Sequence, residues 1–452
     1  MNLDEQFLEM TDKIRLIKLE NENVIRFPDQ NTLNTNTKQI RNPQKEISGG
    51  FFYDIFFVMK KILTTIIIFF FFNNSTYSDI TEYKSWQIPE EANPNYETLV
   101  HYFKKYQFDK YKFGKYESGI SKNPYKFKSN LKKDKYLESQ FNKTALLSYL
   151  LFENNEIVID GISPQERFGK YINEDTKFDS RSIGKSLTSY VLGHAICDGY
   201  IKDINQKIND WSLLKNTLYE NQKIIDLLNM RAGDQNYVKK GIGIIGRKGS
   251  SANPNNRTLF GIMGLDFQDS VISKNKKYNY NPLVTNILLN YVIFKSNGNF
   301  QNLLDKIFVD KAKVERNVHF FKQKNSKDEV GPARYSFIAN RYDYLRIAKA
   351  MMDDWNNDTC VGKYLKDVYE SRQKKNDPDT NPSSSFGFPK SYGGQFHFDY
   401  PGASKRKILG MDGYGGQSIL IDFDRSRIVL VHAIHKNYNW KKLVFNPIKN
   451  GK

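Results

Sequence analysis

The sequence predicts an α+β domain built on an antiparallel sheet, and two observations carry that prediction. Strand-like runs stand far apart, at Thr144–Phe152 and Glu156–Asp160 and again at Gly416–Ile421 and Ile428–His435. Between them, apolar residues recur at the three- and four-residue spacing of helices. Strands at both ends with helices between them imply a sheet completed by strands distant in sequence.

At 452 residues the chain can bury a large core, and its net charge of +18 raises the question of an anionic partner. The basic residues are spread along the whole length together with Asn, Ile, Phe and Tyr, without a discrete basic stripe. They read as a compositional bias, so no nucleic-acid partner is expected. Cys197 and Cys360 are the only cysteines, too few for a four-cysteine zinc site. Cys197 falls beside an apolar helical stripe, which predicts a buried thiol in preference to a disulfide.

Residues 1–58 are polar at first and lack periodicity, marking an extension that is disordered or not translated. Phe51–Met59 and Ile62–Phe72 are apolar runs split by Lys60-Lys61, and neither reaches the roughly 18 residues of a membrane span. From Met59 the text has the form of a signal peptide, residues 59–78. Lys60-Lys61 supply the charge, Ile62–Phe72 the apolar segment and Thr76-Tyr77-Ser78 a small-x-small cleavage site. The expected location is therefore periplasmic or secreted, with an uncleaved N-terminal anchor as the alternative. Residues 79–140 interleave Lys and Tyr and read as a lead-in that wraps over the main domain, 141–452.

That main domain opens with the hairpin Thr144–Phe152 and Glu156–Asp160, turning at Glu153-Asn154-Asn155. Ile183, Leu187, Tyr190, Val191 and Ile196 then form a helical stripe, with Gly199 where a helix stops. This helix carries Ser182 and Lys185 in its first turn. Residues three apart share a helical face, so a hydroxyl and an amine stand side by side, as a serine nucleophile with a lysine base requires. Ile224–Gly233 reads as a short helix closed by glycine, and Gln235–Asp266 as a long loop. A helix follows Tyr280, with Pro282 suited to its first turn, and another spans Arg341–Trp355.

A Ser-x-x-Lys string alone means little in a lysine-rich chain, because Ser129/Lys132, Ser212/Lys215, Ser273/Lys276, Ser371/Lys374 and Ser404/Lys407 also match. Only Ser182/Lys185 joins a preceding hairpin to a long apolar helix. Gly241-Ile-Gly243-Ile-Ile-Gly246 matches the dinucleotide-binding glycine pattern, but residues 247–254 cannot open the helix such a site needs, so no nucleotide cofactor is expected. His432 and His435 are three apart on an expected strand, which sends their rings to opposite faces and argues against a shared metal.

With these residues in place, the chain resembles the serine β-lactamase and penicillin-binding-protein superfamily, in the branch of class C β-lactamases, related esterases and 6-aminohexanoate-dimer hydrolases. Ser182-Ile-Gly-Lys185 with Gly199-Tyr-Ile resembles the family's first motif. Tyr278-Asn-Tyr280-Asn-Pro ahead of a helix resembles the second, and the Ile287-Leu288 pair selects Tyr280. Gly410-Met-Asp-Gly413-Tyr414-Gly-Gly-Gln417 resembles the third. The resemblance spans roughly Thr144 to the C-terminus and implies a β-lactamase/transpeptidase-like fold with a mainly helical lobe beside the sheet.

The chemistry implied is a serine hydrolase that needs no metal or cofactor. Ser182 attacks a carbonyl, and Lys185 and Tyr280 act as the acid–base pair. The backbone N–H groups of Ser182 and Tyr414, next to Gly413, bind the oxyanion, with Asp412 beside the substrate. A neutral lysine is expected, so the Lys185 pKa should fall below its usual value near 10.4 through burial and nearby positive charge. Pro282 and Met411-Asp412 depart from the family pattern, the latter replacing a lysine that holds the carboxylate of β-lactams. Small esters, linear amides or peptide-like molecules are the expected substrates, and Asp412 suggests a cationic amine among them. A β-lactamase, a D-alanyl peptidase of peptidoglycan and a silent envelope-binding protein of the same fold are the alternatives. Oligomeric state is not legible in the chain.

Overall fold

A computed structural model describes residues 88–108, 114–240, 243–245, 258–323, 332–377 and 380–451. The extension and the signal peptide lie outside these, as does most of the glycine pattern at 241–246. Residues 76–452 form one compact unit. Its labelled elements are the hairpin strands β1 (Leu146–Glu153) and β2 (Glu156–Ile162), then β3 (Lys177–Asp179), α1 (Ile183–Cys197), α2 (Leu283–Lys295), β4 (Ala333–Asn340), α3 (Arg341–Asn356), α4 (Cys360–Glu370), β5 (Ile408–Gly413), β6 (Gln417–Asp422) and β7 (Arg427–Ala433).

The main sheet has nine strands, with β5, β6, β7, β1 and β2 as consecutive neighbours. Three short strands within residues 373–398 flank β5, and Lys128–Ser129 closes the opposite edge against β2. The opening hairpin of the main domain and its C-terminal strand meet in an antiparallel ladder from Arg427↔Glu153 to His432↔Ser148. The domain is therefore α+β with a predominantly antiparallel sheet, as predicted, and only the Lys128–Ser129 pairing is parallel. Both faces are covered, so every residue of β1 is buried and the strand reads as an apolar run without strict alternation. One core unites Leu150 and Leu430 from the sheet with Leu187 and Val191 of α1, Leu288 of α2 and Met351 of α3.

The lead-in shares that core. A helix over Tyr96–Phe108 buries Leu99, Tyr102 and Phe103, and Phe103 packs 6.0 Å from Phe168. The long loop predicted at Gln235–Asp266 is corrected, because Leu259–Asp266 is helical and Thr258 caps it by accepting from the Gly261 N–H at 3.2 Å.

The free thiol predicted for Cys197 is also corrected: Cys197 and Cys360 form a disulfide. Cys197 ends α1, where the helix leaves the core and the side chain is only half-buried, and Cys360 begins the adjacent α4. Gly193 lets the two helices touch, since a Cβ there would lie 2.4 Å from the Tyr364 ring. The bridge spans 163 residues, so its removal should cost about 2–5 kcal/mol by loss of chain constraint. The Cys197→Ser variant is accordingly expected to melt well below the wild type, and an unchanged melting temperature would contradict this.

Candidate active site

The entry to α1 is built by strand pairing. β3 runs antiparallel to β4 in the register Lys177↔Asn340 and Asp179↔Ile338. The Ser180 N–H continues this by donating to the Phe337 carbonyl at 2.8 Å, and the Ser180 hydroxyl accepts from the Phe337 N–H at 2.8 Å. Arg181 then turns the chain at φ 50°, a left-handed conformation costing a non-glycine residue about 1–3 kcal/mol. The Asp179 carboxylate holds the turn by accepting from the Arg181 N–H at 2.9 Å. A strained residue fixed in this way delivers the next one, Ser182, to the helix start in a single orientation.

Lys185, only 2 % exposed, donates to the Ser182 hydroxyl at 2.9 Å. Two tyrosines flank the ammonium: its nitrogen lies 4.8 Å from the Tyr280 ring centre and 4.0 Å from that of Tyr335. Burial alone would lower the lysine pKa, yet the two phenols outweigh it and hold Lys185 above its ordinary value. The predicted fall is thus corrected, and the lysine keeps its proton. The complementary change is on Tyr335, which Lys185 draws below the usual phenol range despite burial, whereas burial leaves Tyr280 raised.

Tyr335 is absent from the sequence-derived set. It lies on β4 three residues before Ile338, the partner of Asp179, and so on the strand paired with the run that leads into Ser182. Its backbone is held from two sides, for its N–H donates to Asn286 Oδ1 of α2 at 3.1 Å and its carbonyl lies against Gly184. A Cβ on Gly184 would sit 2.0 Å from that carbonyl oxygen, which is why the first turn of α1 carries glycine between Ser182 and Lys185.

Tyr280 is anchored through its neighbours. Asn279 and Asn281 donate to the buried Asp234 carboxylate at 2.8 and 3.2 Å, and Tyr219 donates to it at 2.9 Å. Asn281 Oδ1 also accepts from the Leu283 and Val284 N–H groups, capping α2. The Asn281 amide is consumed in structure and does not replace the polar group missing at Pro282. Phe386 and Tyr392 wall in the Tyr280 ring at 4.8 and 5.9 Å, whereas Tyr278 packs on Tyr392 at 5.4 Å.

β5 brings the third motif beside the serine. A Cβ on Gly413 would meet the Ser180 carbonyl at 2.8 Å, so glycine permits this approach, and Gly415 and Gly416 turn the chain at φ 81° and 90°. The Tyr414 hydroxyl donates to the Ile88 carbonyl of the lead-in. Asp412 is half-buried and faces the protein's own Lys436, whose nitrogen lies 3.7 Å from Asp412 and 2.9 Å from Glu90. Burial raises the Asp412 carboxyl. The expected preference for a cationic amine at this position loses its basis.

His432 stacks on Phe178 at 4.3 Å and His435 faces the Pro89 carbonyl at 2.9 Å, both buried. Among the described residues, no group of three or more His, Cys, Asp and Glu side chains is arranged to hold a metal ion.

No family model matches the sequence, and comparison with curated proteins gives no match. Solved structures do match. A Bacillus anthracis protein assigned as a 6-aminohexanoate-dimer hydrolase aligns with a TM-score of 0.56 over 82% of this chain and 97% of its own, at 14% identity. The chain has the β-lactamase/transpeptidase-like fold. A Bacteroides dorei protein assigned as a β-lactamase aligns at TM-score 0.49 and 12% identity, over 66% of this chain and 88% of its own. The octameric penicillin-binding protein homologue from Pyrococcus abyssi aligns at 0.49 and 14%, over 70% and 76%.

Proposed function

We propose that the protein is a serine hydrolase that cleaves small esters or linear amides through an acyl-enzyme on Ser182. The observation that carries this is the 2.9 Å contact between the Ser182 hydroxyl and a fully buried Lys185, with the Tyr280 phenol on the same ammonium. Ser182 Oγ attacks the carbonyl carbon, and the resulting oxyanion is bound by the Ser182 and Tyr414 N–H groups. Such donors contribute about 3 kcal/mol each to the transition state in known cases. Lys185 and Tyr280 form the acid–base pair: the ammonium stores a proton that Tyr280 passes to the leaving group, and the pair then activates water for deacylation.

The departures at Met411-Asp412 favour esters and linear amides over β-lactams. Lys436 is held between Glu90 and Asp412, so its charge is already balanced by two carboxylates and is a poor anchor for a substrate anion. The Cys197–Cys360 disulfide supports an oxidising location, periplasmic or secreted, in keeping with the signal sequence from Met59.

An aryl ester and a chromogenic β-lactam assayed side by side test the substrate class. The expected outcome is a burst of phenol equal to the enzyme concentration, followed by steady turnover of the ester, both abolished in Ser182→Ala, with little turnover of the β-lactam. Preferential β-lactam turnover would overturn the substrate class, and ester turnover that survives Ser182→Ala would overturn the mechanism.

A further inference from the structure

We propose that Tyr335 is a second acid–base residue of this site, which takes the Ser182 proton during acylation while Tyr280 serves the leaving group. The inference rests on the acyl-enzyme chemistry proposed above and assigns it a two-phenol relay through Lys185.

The case is geometric. Tyr335 lies on β4, the strand paired with the run that leads into Ser182, and its backbone is held between Asn286 and Gly184. Of the two rings it is the nearer to the Lys185 nitrogen, at 4.0 against 4.8 Å. Both phenols are also within hydrogen-bonding reach of the serine hydroxyl. Tyr335, like Tyr280, is half-buried beside the Ser182–Lys185 pair.

The two phenols differ in their surroundings. Tyr335 faces Lys185 and Ser182 from α1, Tyr280 before α2, Arg334 on its own strand and Tyr392 from the main sheet. Lys185 and Arg334 are cations and favour the phenolate. Tyr280 is enclosed by Phe386 and Tyr392, with Lys185 and Lys436 as cationic neighbours and Asp412 opposing them. Burial outweighs its partners at Tyr280 and is outweighed at Tyr335, so the two phenols shift in opposite directions.

In the reacting form of the relay Tyr335 is the phenolate, Lys185 the ammonium and Tyr280 the phenol. As Ser182 Oγ bonds to the carbonyl carbon, its proton passes to the Tyr335 oxygen and the C=O π pair moves onto the carbonyl oxygen. When the intermediate collapses, the bond to the leaving group breaks, and that group takes its proton from Tyr280. Lys185 replaces the Tyr280 proton, and Tyr335 returns one to the neutral amine. The net transfer is one proton from Ser182 to the leaving group, and the relay is reset.

The roles separate by leaving group. An aryl ester expels a stable phenolate that needs no proton, so its acylation should depend on Tyr335 and hardly on Tyr280. An alkyl ester or amide should need both. In Tyr335→Phe, which keeps the ring packing, the burst rate with an aryl ester is expected to fall about 10²-fold or more. Tyr280→Phe should lose alkyl-ester turnover.

Replacing Tyr335 with 3-fluorotyrosine, whose phenol is more acidic, should move the acid limb of the kcat/KM–pH profile to lower pH, which a merely structural role would not do. A wild-type burst rate in Tyr335→Phe overturns the relay, as does an unmoved acid limb with the fluorinated residue. If wild-type enzyme shows no Ser182-dependent burst at all, the acyl-enzyme proposal itself fails and the relay with it, an outcome distinct from failure of the relay alone.

Discussion

Replacing Lys185 with alanine is expected to lower kcat/KM for an ester on the order of 10⁴-fold, the scale seen when one member of a catalytic unit is removed. The reason lies in how many contacts pass through this one nitrogen. It donates to Ser182 at 2.9 Å, lies against both phenols and is shut away from water, so no solvent cation can take its place. Without it, the phenols lose the charge that favours a phenolate and the serine loses its oriented partner. Steady-state kinetics on Lys185→Ala, with circular dichroism to confirm folding, measure this. A loss under about tenfold would show that the lysine is a packing residue, since acid–base groups typically contribute 10²-fold or more.

The second large effect is acid lability. Four buried histidines stay neutral in the fold: burial lowers His194 to about 4, both His319 and His432 to about 3, and His397 well below its ordinary value. Their unfolded value is near 6.5. Between pH 6.5 and about 4 the unfolded chain therefore binds protons that the native state refuses, and stability falls as the pH falls. Each histidine contributes up to about 1.4 kcal/mol per pH unit in this window, against a total stability of roughly 5–15 kcal/mol.

The raised carboxyls of Asp234, Asp343 and Asp412 act in the opposite sense, because the native state protonates them first. Comparison with one variant isolates the histidine effect. His432→Phe preserves the stacking on Phe178 and should lose about 1.4 kcal/mol per pH unit of the slope between pH 6 and 4.5, read from urea unfolding. A slope equal to the wild type would show that His432 does not stay neutral in the fold.

Local features were the ones legible in the chain. The hairpin and the C-terminal strand pair announced themselves by β-branched runs and turn residues, and their mutual pairing followed from the order of elements. Ser182 and Lys185 were visible because both lie within one helical turn, and the tyrosine and glycine motifs because each is contiguous.

What was hidden depends on register or on helix crossing. Tyr335 comes near Lys185 and Ser182 because β4 pairs with β3, a strand distant in sequence, and nothing in the local text marks it. Cys197 looked like a core position because its stripe is apolar, but the last turn of a helix can leave the core, and there it met α4. Lys436 lies beyond the third motif and faces Asp412 only once β5, β6 and β7 are side by side. The expected fall in the Lys185 pKa rests on burial and nearby positive charge, and the two phenols, Tyr280 ahead of Tyr335, reverse it.

Fluorophosphonate labelling of the purified protein, followed by peptide mapping, tests the central claim most directly. The account predicts one adduct, on Ser182, that is lost in Lys185→Ala. The absence of any adduct, or an adduct on another serine, would contradict it.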